Sequence, residues 1–195
     1  MSASADRPVY DLAIAGGGLV GASLALALAP LGFRIALVEA TAPEATTHPS
    51  FDERTTALAN GSVRVFRSLG VWRHMERDAT PIRRIHVSDQ GRFGTARIDA
   101  AEQGLESLGY VLPNRVICAG LQQGLRNCEN VELIAPARVL GSEPAEGQRR
   151  LHFETDGVER EIAARLVVAA DGARSLVREQ AGIGAVHWDY GQTAI

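Results

Sequence analysis

Two kinds of apolar run follow one another along the 195 residues. Val9–Ala15 is short and mostly apolar, as a strand buried on both faces requires, and Gly16 to Gly18 end it. Leu19–Leu31 is rich in Ala and Leu, which favour a helix, with Gly32 placed as its C-terminal stop. Arg34–Val38 is a second buried strand with Glu39 at its end. Strand, helix and strand within about 30 residues predict a βαβ unit, and so a parallel sheet.

Further on the period changes. Thr41 to Ser50 is rich in Pro and Thr and reads as loop. Thr56–Leu69 carries Leu58, Val63, Val65, Phe66 and Leu69, a pattern that predicts a helix closed by Gly70. Ile82–Val87 and Arg92–Ile98 flank Ser88 to Gly91 and predict an antiparallel hairpin. Val116–Arg126 reads as a helix. From Val131 to Arg160 three short strands are expected, broken at Gly141 to Pro144 and at Asp156-Gly157, as a small β-meander. Leu166–Ala170 is an apolar strand running into Asp171-Gly172. The fold class expected is α/β: a Rossmann-like βαβ domain with a β-meander and part of an antiparallel sheet.

Charge narrows the chemistry. Lys and Arg together number 20, and every one is arginine. Schiff-base, P-loop, Ser-Lys and protein-kinase chemistries all need a lysine and are excluded. Against these stand 23 acids, for a net charge of −3, with no basic stripe of the kind nucleic acid demands. Histidines 48, 74, 86, 152 and 187 have no metal-ligand spacing, and no metal site is expected. Cys118 and Cys128 form neither a zinc pattern nor a disulfide framework, which suits a reducing compartment. Leu12 to Phe33 holds 22 residues without a charge, but Gly16 to Gly18 and Pro30 interrupt it, so strand, turn and helix fit better than a membrane span. Trp72 and Trp188 are expected to be packing residues.

The candidate chemistry lies in the turns. Gly16, Gly18 and Gly21 fit G-x-G-x-x-G between strand and helix: one glycine for the tight turn, one for approach of a pyrophosphate, one for close packing. The helix N-terminus supplies unpaired N–H groups and partial positive charge, so a diphosphate needs no lysine. Glu39, 18 residues past Gly21, is placed to accept hydrogen bonds from an adenosine ribose. Its charge would repel a 2′-phosphate, so the dinucleotide is FAD or NAD.

Val167-Val-Ala-Ala-Asp171-Gly172-Ala-Arg-Ser175-Leu-Val-Arg178 resembles the D-G-x-x-S-x-x-R fingerprint of flavoprotein aromatic hydroxylases, with every fixed position present. Phe51-Asp-Glu-Arg54-Thr-Thr-Ala-Leu58, Ile85-His-Val-Ser-Asp-Gln-Gly91 and Gly109-Tyr-Val-Leu-Pro-Asn-Arg115 resemble segments of the ubiquinone-biosynthesis hydroxylases. The resemblance spans nearly the whole chain. It implies FAD as cofactor, with Gly16, Gly18 and Gly21 on its diphosphate and Glu39 on its adenosine ribose. Arg54 is implied to reach the diphosphate or an incoming nicotinamide nucleotide, and Arg115 the diphosphate and ribityl chain. Asp171 and Gly172 are implied on the ribityl side, while Ser175 and Arg178 hold that loop and assist NAD(P)H.

The same resemblance implies a monooxygenase that uses NAD(P)H and O2 to hydroxylate a prenylated phenol. It implies a cytoplasmic protein, peripheral to the inner membrane or part of a quinone-biosynthesis complex. No side chain is singled out as catalytic acid or base. The FAD-binding domain is expected over residues 1–79 and 110–184, and a partial substrate-domain sheet over 80–109 and 185–195. The family's Gly-Asp motif near G-D-A-A-H is not found, and the last residues read as a strand entering the substrate sheet. An N-terminal portion is therefore expected, inactive alone and binding FAD weakly or not at all. Two alternatives stay open: a noncatalytic dinucleotide-binding module, and another flavin oxidoreductase of this fold, such as a prenyl reductase or halogenase.

Overall fold

The computed structural model describes residues 9–42 and 54–191. Residues 1–8, most of the Thr41 to Ser50 loop, the Phe51-Asp52-Glu53 part of the Arg54 segment, and residues 192–195 lie outside the described residues.

The expected βαβ unit is present as β1 (Val9–Ala15), α1 (Leu19–Leu28) and β2 (Ile35–Val38). A 3-10 turn, Ala29–Leu31, extends α1 to Gly32, which stops it in the left-handed conformation at φ +78°. The parallel pairing of β1 and β2 runs from Leu12↔Ile35 to Ala15↔Val38.

Next along the chain come β3 (Thr55–Ala59), α2 (Asn60–Ser68), β4 (Thr80–Ile82), β5 (Arg84–Ser88), β6 (Thr95–Asp99), β7 (Gly109–Pro113) and α3 (Asn114–Leu125). They are followed by β8 (Val131–Ile134), β9 (Arg138–Ala145), β10 (Gln148–Thr155), β11 (Val158–Ala169) and α4 (Leu176–Gln180). The main sheet has the order β8-β2-β1-β11-β10-β9. Its first four strands are parallel, and β11, β10 and β9 form the antiparallel meander. β3, β7 and β4 form a second sheet, and β5 and β6 pair as the expected hairpin.

Five expectations are corrected. The helix read from Thr56 to Leu69 begins only at Asn60, because Thr55–Ala59 pairs antiparallel with β7 along its length. Gly141 to Pro144 does not break a strand. It lies within β9, an edge strand, where a proline removes no needed ladder donor. The apolar run before Asp171 is the end of a single 12-residue strand, β11, whose first half pairs with β10 and whose second half runs beside β1. Residues 183–190 have no regular secondary structure, so no strand is found in the described part of the tail, and Trp188 is 74% exposed rather than packed. A lone segment without a partner ladder has nothing to pair its backbone groups.

Alternation along β1 and β2 divides the core. Ile14, Ile35 and Leu37 face one side with Ala22, Ala25 and Leu26 of α1 and Ile117 and Leu121 of α3. Ala13, Ala15, Ala36 and Val38 face the other, where Leu151 and Phe153 of the meander cover them. The small residues on that second face let the meander lie close. Trp72 is buried and meets Tyr110 edge to face at 5.2 Å, a packing role as expected.

Tyr10 ties the sheet together at its other end. Its hydroxyl donates to Glu132 Oε2, and the Arg34 guanidinium lies 4.9 Å from its ring centre. Burial, then the Glu132 hydrogen bond and charge, push the Tyr10 hydroxyl from 10.0 up to about 12. The folded state thus holds this proton more tightly than the unfolded chain. Its contribution to stability is complete below pH 10 and is lost as pH rises from 10 to about 12. Denaturant unfolding at stepped alkaline pH should show that decline, and Glu132→Gln should lessen it without abolishing it, because burial, the largest cause, remains. An equal decline in the variant would reject the link.

Candidate functional site

The carboxyl ends of β1, β2 and β11 converge on a cleft of about 490 Å³. Gly16, Gly18, Glu39, Asp171 and Gly172 all line it, joined by Arg138, Val139 and Arg174. A switch from one strand connection to another at the carboxyl edge of a parallel sheet is where such folds hold ligands.

Each glycine of the loop answers to a different constraint. Gly16 has φ +99°, and its N–H donates to Val38 O at 2.8 Å; a Cβ there would lie 2.4 Å from Ala170 O. At Gly21 a Cβ would lie 1.9 Å from Gly16 O, so α1 and the turn are in direct backbone contact. Gly18 differs. It caps α1 in an extended conformation, and a Cβ built on it meets nothing within 4 Å. The first-turn N–H groups of α1 have no intrahelical acceptor, and no side chain caps them. A bare backbone beside such donors is the cradle a diphosphate requires.

Glu39 does more than sequence reasoning assigned to it. Its Oε2 accepts the Gly17 N–H at 2.7 Å, and its Oε1 accepts the Thr41 N–H at 2.9 Å. The carboxylate therefore fastens the glycine loop to the end of β2. Each carboxylate oxygen can accept more than one hydrogen bond, so the same group remains suited to ribose hydroxyls.

Asp171 reaches the cleft from the far end of the chain through the parallel register Ala15↔Ala169. Its Oδ2 accepts from Leu176 N–H at 2.9 Å and Val177 N–H at 3.4 Å, capping α4. Its Oδ1 is buried and receives no hydrogen bond among the described residues. A buried acceptor left unpaired is costly, and a donor from a bound ligand would relieve it. Ser175 is buried and caps the same helix, its Oγ accepting the Arg178 N–H at 3.0 Å. Arg178 Nη1 donates to Ala173 O at 3.1 Å, bracing the turn that carries Gly172 at φ +84°.

Arg54 and Arg115 come together elsewhere. The Arg54 carbonyl accepts the Asn114 N–H at 2.9 Å, so both arginines stand where β3 and β7 meet the start of α3. Neither is among the described residues lining the cleft. Sequence reasoning missed Arg138 and Arg174 at the cleft wall. Arg174 occupies a variable place in the Asp171 motif, and Arg138 became a neighbour only through the meander.

Residues 9–191 match the model of a family described as "FAD binding domain". The chain is 37% identical to a ubiquinone hydroxylase, UbiL, of Rhodospirillum rubrum, over 100% of this chain and 44% of that protein. It is 36% identical to the 3-demethoxyubiquinol 3-hydroxylase of Escherichia coli, over 95% of this chain and 47% of that protein. It thus spans less than half the length of these curated relatives. Among solved structures it resembles the p-nitrophenol 4-monooxygenase PnpA of Pseudomonas putida in fold, with TM-score 0.75 and 22% identity over 89% of this chain and 44% of that one. The flavin-dependent monooxygenase PieE, solved with FAD and substrate, matches with TM-score 0.74 and 25% identity over 91% of this chain and 33% of that one.

Proposed function

Because the chain belongs to the FAD-binding-domain family, we propose that it carries the cofactor-holding part of an FAD-dependent monooxygenase of ubiquinone biosynthesis, which hydroxylates a prenylated phenol with NAD(P)H and O2. One observation carries the reading. The glycine loop and the Asp171 motif, about 150 residues apart in sequence, face one cleft, in a chain similar throughout to two ubiquinone-pathway hydroxylases.

The chemistry that FAD supplies when bound is hydride acceptance from NAD(P)H and activation of O2. The protein's own part is holding and shielding. Gly18 and the first turn of α1 present backbone N–H groups to the diphosphate, with Gly16 and Gly21 keeping that turn tight. Glu39 accepts the adenosine ribose hydroxyls while it holds Gly17. Asp171 Oδ1 accepts a cofactor hydroxyl on the ribityl side, beside Gly172, and Ser175 and Arg178 keep that loop in place. Arg54 and Arg115 supply cationic forks suited to a diphosphate or an incoming nicotinamide nucleotide.

In this reading residues 1–79 and 110–184 form the FAD-binding domain. Residues 80–109 and 185–195 contribute to a substrate-domain sheet, a division supported by the β5–β6 hairpin standing apart from the main sheet. No helix among the described residues is long and apolar enough to cross a membrane. In the same reading the protein is cytoplasmic and meets its prenylated substrate at the inner-membrane surface, alone or within a quinone-biosynthesis complex.

Titration of the whole protein with FAD and with ADP tests the reading, since this portion alone is expected to bind FAD weakly or not at all. The expected result is quenching of flavin fluorescence and competition by ADP for the same site. Failure of both nucleotides to bind would overturn it. Conversion of a prenylphenol to its hydroxylated product, dependent on NAD(P)H and followed by mass spectrometry, tests the reaction in the whole protein.

A further inference from the structure

We propose that Gln180 is a positioning residue for the cofactor cleft, clamping the end of α4 to β9 and thereby fixing Asp171 at the other end of that helix. Gln180 Oε1 accepts the Ser142 N–H at 2.9 Å, and its Nε2 donates to Leu140 O at 3.4 Å. The pairing of β9 with β10 shifts there, from His152↔Gly141 to Phe153↔Val139, so Leu140 is the additional residue of a β-bulge. β9 is the outer strand of the sheet, and its outward backbone groups need partners from elsewhere. A primary amide offers one acceptor and one donor, the pair that a neighbouring strand's backbone would offer.

Gly141 makes the clamp fit. It stands at φ +155°, and a Cβ there would come within 2.5 Å of both Gln180 Oε1 and Nε2. The glycine that seemed a strand break is the place where the Gln180 amide lies against the strand.

The helix is a short strut. It has five residues, too few to be stable without tertiary anchors. Asp171 Oδ2 and Ser175 Oγ hold its first turn, Val177 is its one buried side chain, and Gln180 holds its end. Release of the clamp loosens the Leu176 and Val177 N–H groups that orient Asp171. Asp171, which lines the cleft, then loses its fixed position there. None of these steps requires the Gln180 side chain to touch the ligand.

The effect on the cofactor rests on the FAD reading above, so the test, made in the whole protein, has two arms. Amide exchange in Gln180→Ala is expected to be about tenfold faster at Leu176 and unchanged at Ala13 to Ala15 of β1. FAD affinity is expected to weaken about tenfold, and in an Asp171→Asn background the Gln180 substitution should add nothing. Gln180→Glu keeps the acceptor for Ser142 but loses the donor, and should fall between wild type and Gln180→Ala in both measurements. Unchanged Leu176 exchange in Gln180→Ala overturns the clamp. Faster exchange with unaltered FAD affinity, or a loss additive with Asp171→Asn, overturns the positioning role. Failure of the wild-type protein to bind FAD would instead overturn the functional reading, and the exchange arm still decides the clamp.

Discussion

Gly21→Ala is expected to destabilise the protein by about 3 kcal/mol and to remove FAD binding with it, at the overpacking limit for an added methyl group. Helix propensity alone points the other way, since alanine in place of an interior glycine gains about 1 kcal/mol. Packing decides the outcome. The new Cβ would lie 1.9 Å from Gly16 O and 3.2 Å from Ile14 Cγ2. The nearest atom is backbone, in a turn already held by Gly16 N–H to Val38 O at 2.8 Å, so no side-chain rotation relieves the clash. Relief requires α1 to move away from β1, parting Ile14 from Ala22 and Ala25 in the core. Domains of this size hold roughly 5–15 kcal/mol in total, so the loss is a large share. Urea unfolding checks it; a midpoint equal to wild type would show that the turn yields more readily than its hydrogen bonds suggest.

Gly18→Val, three residues earlier in the same loop, is expected to behave in the opposite way. FAD affinity should fall about 100-fold, which is about 2.7 kcal/mol, while the fold loses no more than about 1 kcal/mol from a poorer cap. Gly18 has φ −66° and ψ −165°, a conformation open to any residue, and a Cβ there touches nothing within 4 Å. The side chain would instead enter the space that a diphosphate must cross to reach the first-turn N–H groups of α1. Unfolding and FAD titration on the same preparation of the whole protein separate the two effects. Affinity within threefold of wild type, a difference of about 0.7 kcal/mol, would place the diphosphate elsewhere.

The paired outcomes distinguish structural from ligand-facing glycines, which a motif alone does not do. Both residues are fixed positions of one fingerprint. Their difference arises because Gly21 faces the backbone of the turn and Gly18 faces the cleft.

Much of the fold was legible where pattern and neighbourhood agree. β1, α1 and β2 are consecutive, their apolar runs are of the right lengths, and Gly32 marks the stop where it was expected. β3 was not legible, because Leu58 is its one buried residue and suits either period. What makes Thr55–Ala59 a strand is β7, 50 to 58 residues away, whose pairing supplies the backbone partners. Gly141 misled for a similar reason. In isolation a glycine followed by Ser-Glu-Pro marks a turn, whereas at the outer edge of a sheet it accommodates a bulge and the Gln180 amide.

The sequence by itself determined the α/β class, the glycine turn at the head of a helix, the acid at the end of β2 and the Asp-Gly element after an apolar strand. These are local properties, set by side-chain period and by backbone conformations open chiefly to glycine. Only the tertiary structure decided that Asp171 stands opposite Gly16, that Glu39 grips Gly17, and that Arg54 lies beside the start of α3 that carries Arg115. Each depends on which strands lie side by side. That choice is made by burying both faces of β1 and β2 at once, with α1 and α3 on one side and the meander on the other. No local window contains that balance, because its terms come from segments more than 100 residues apart.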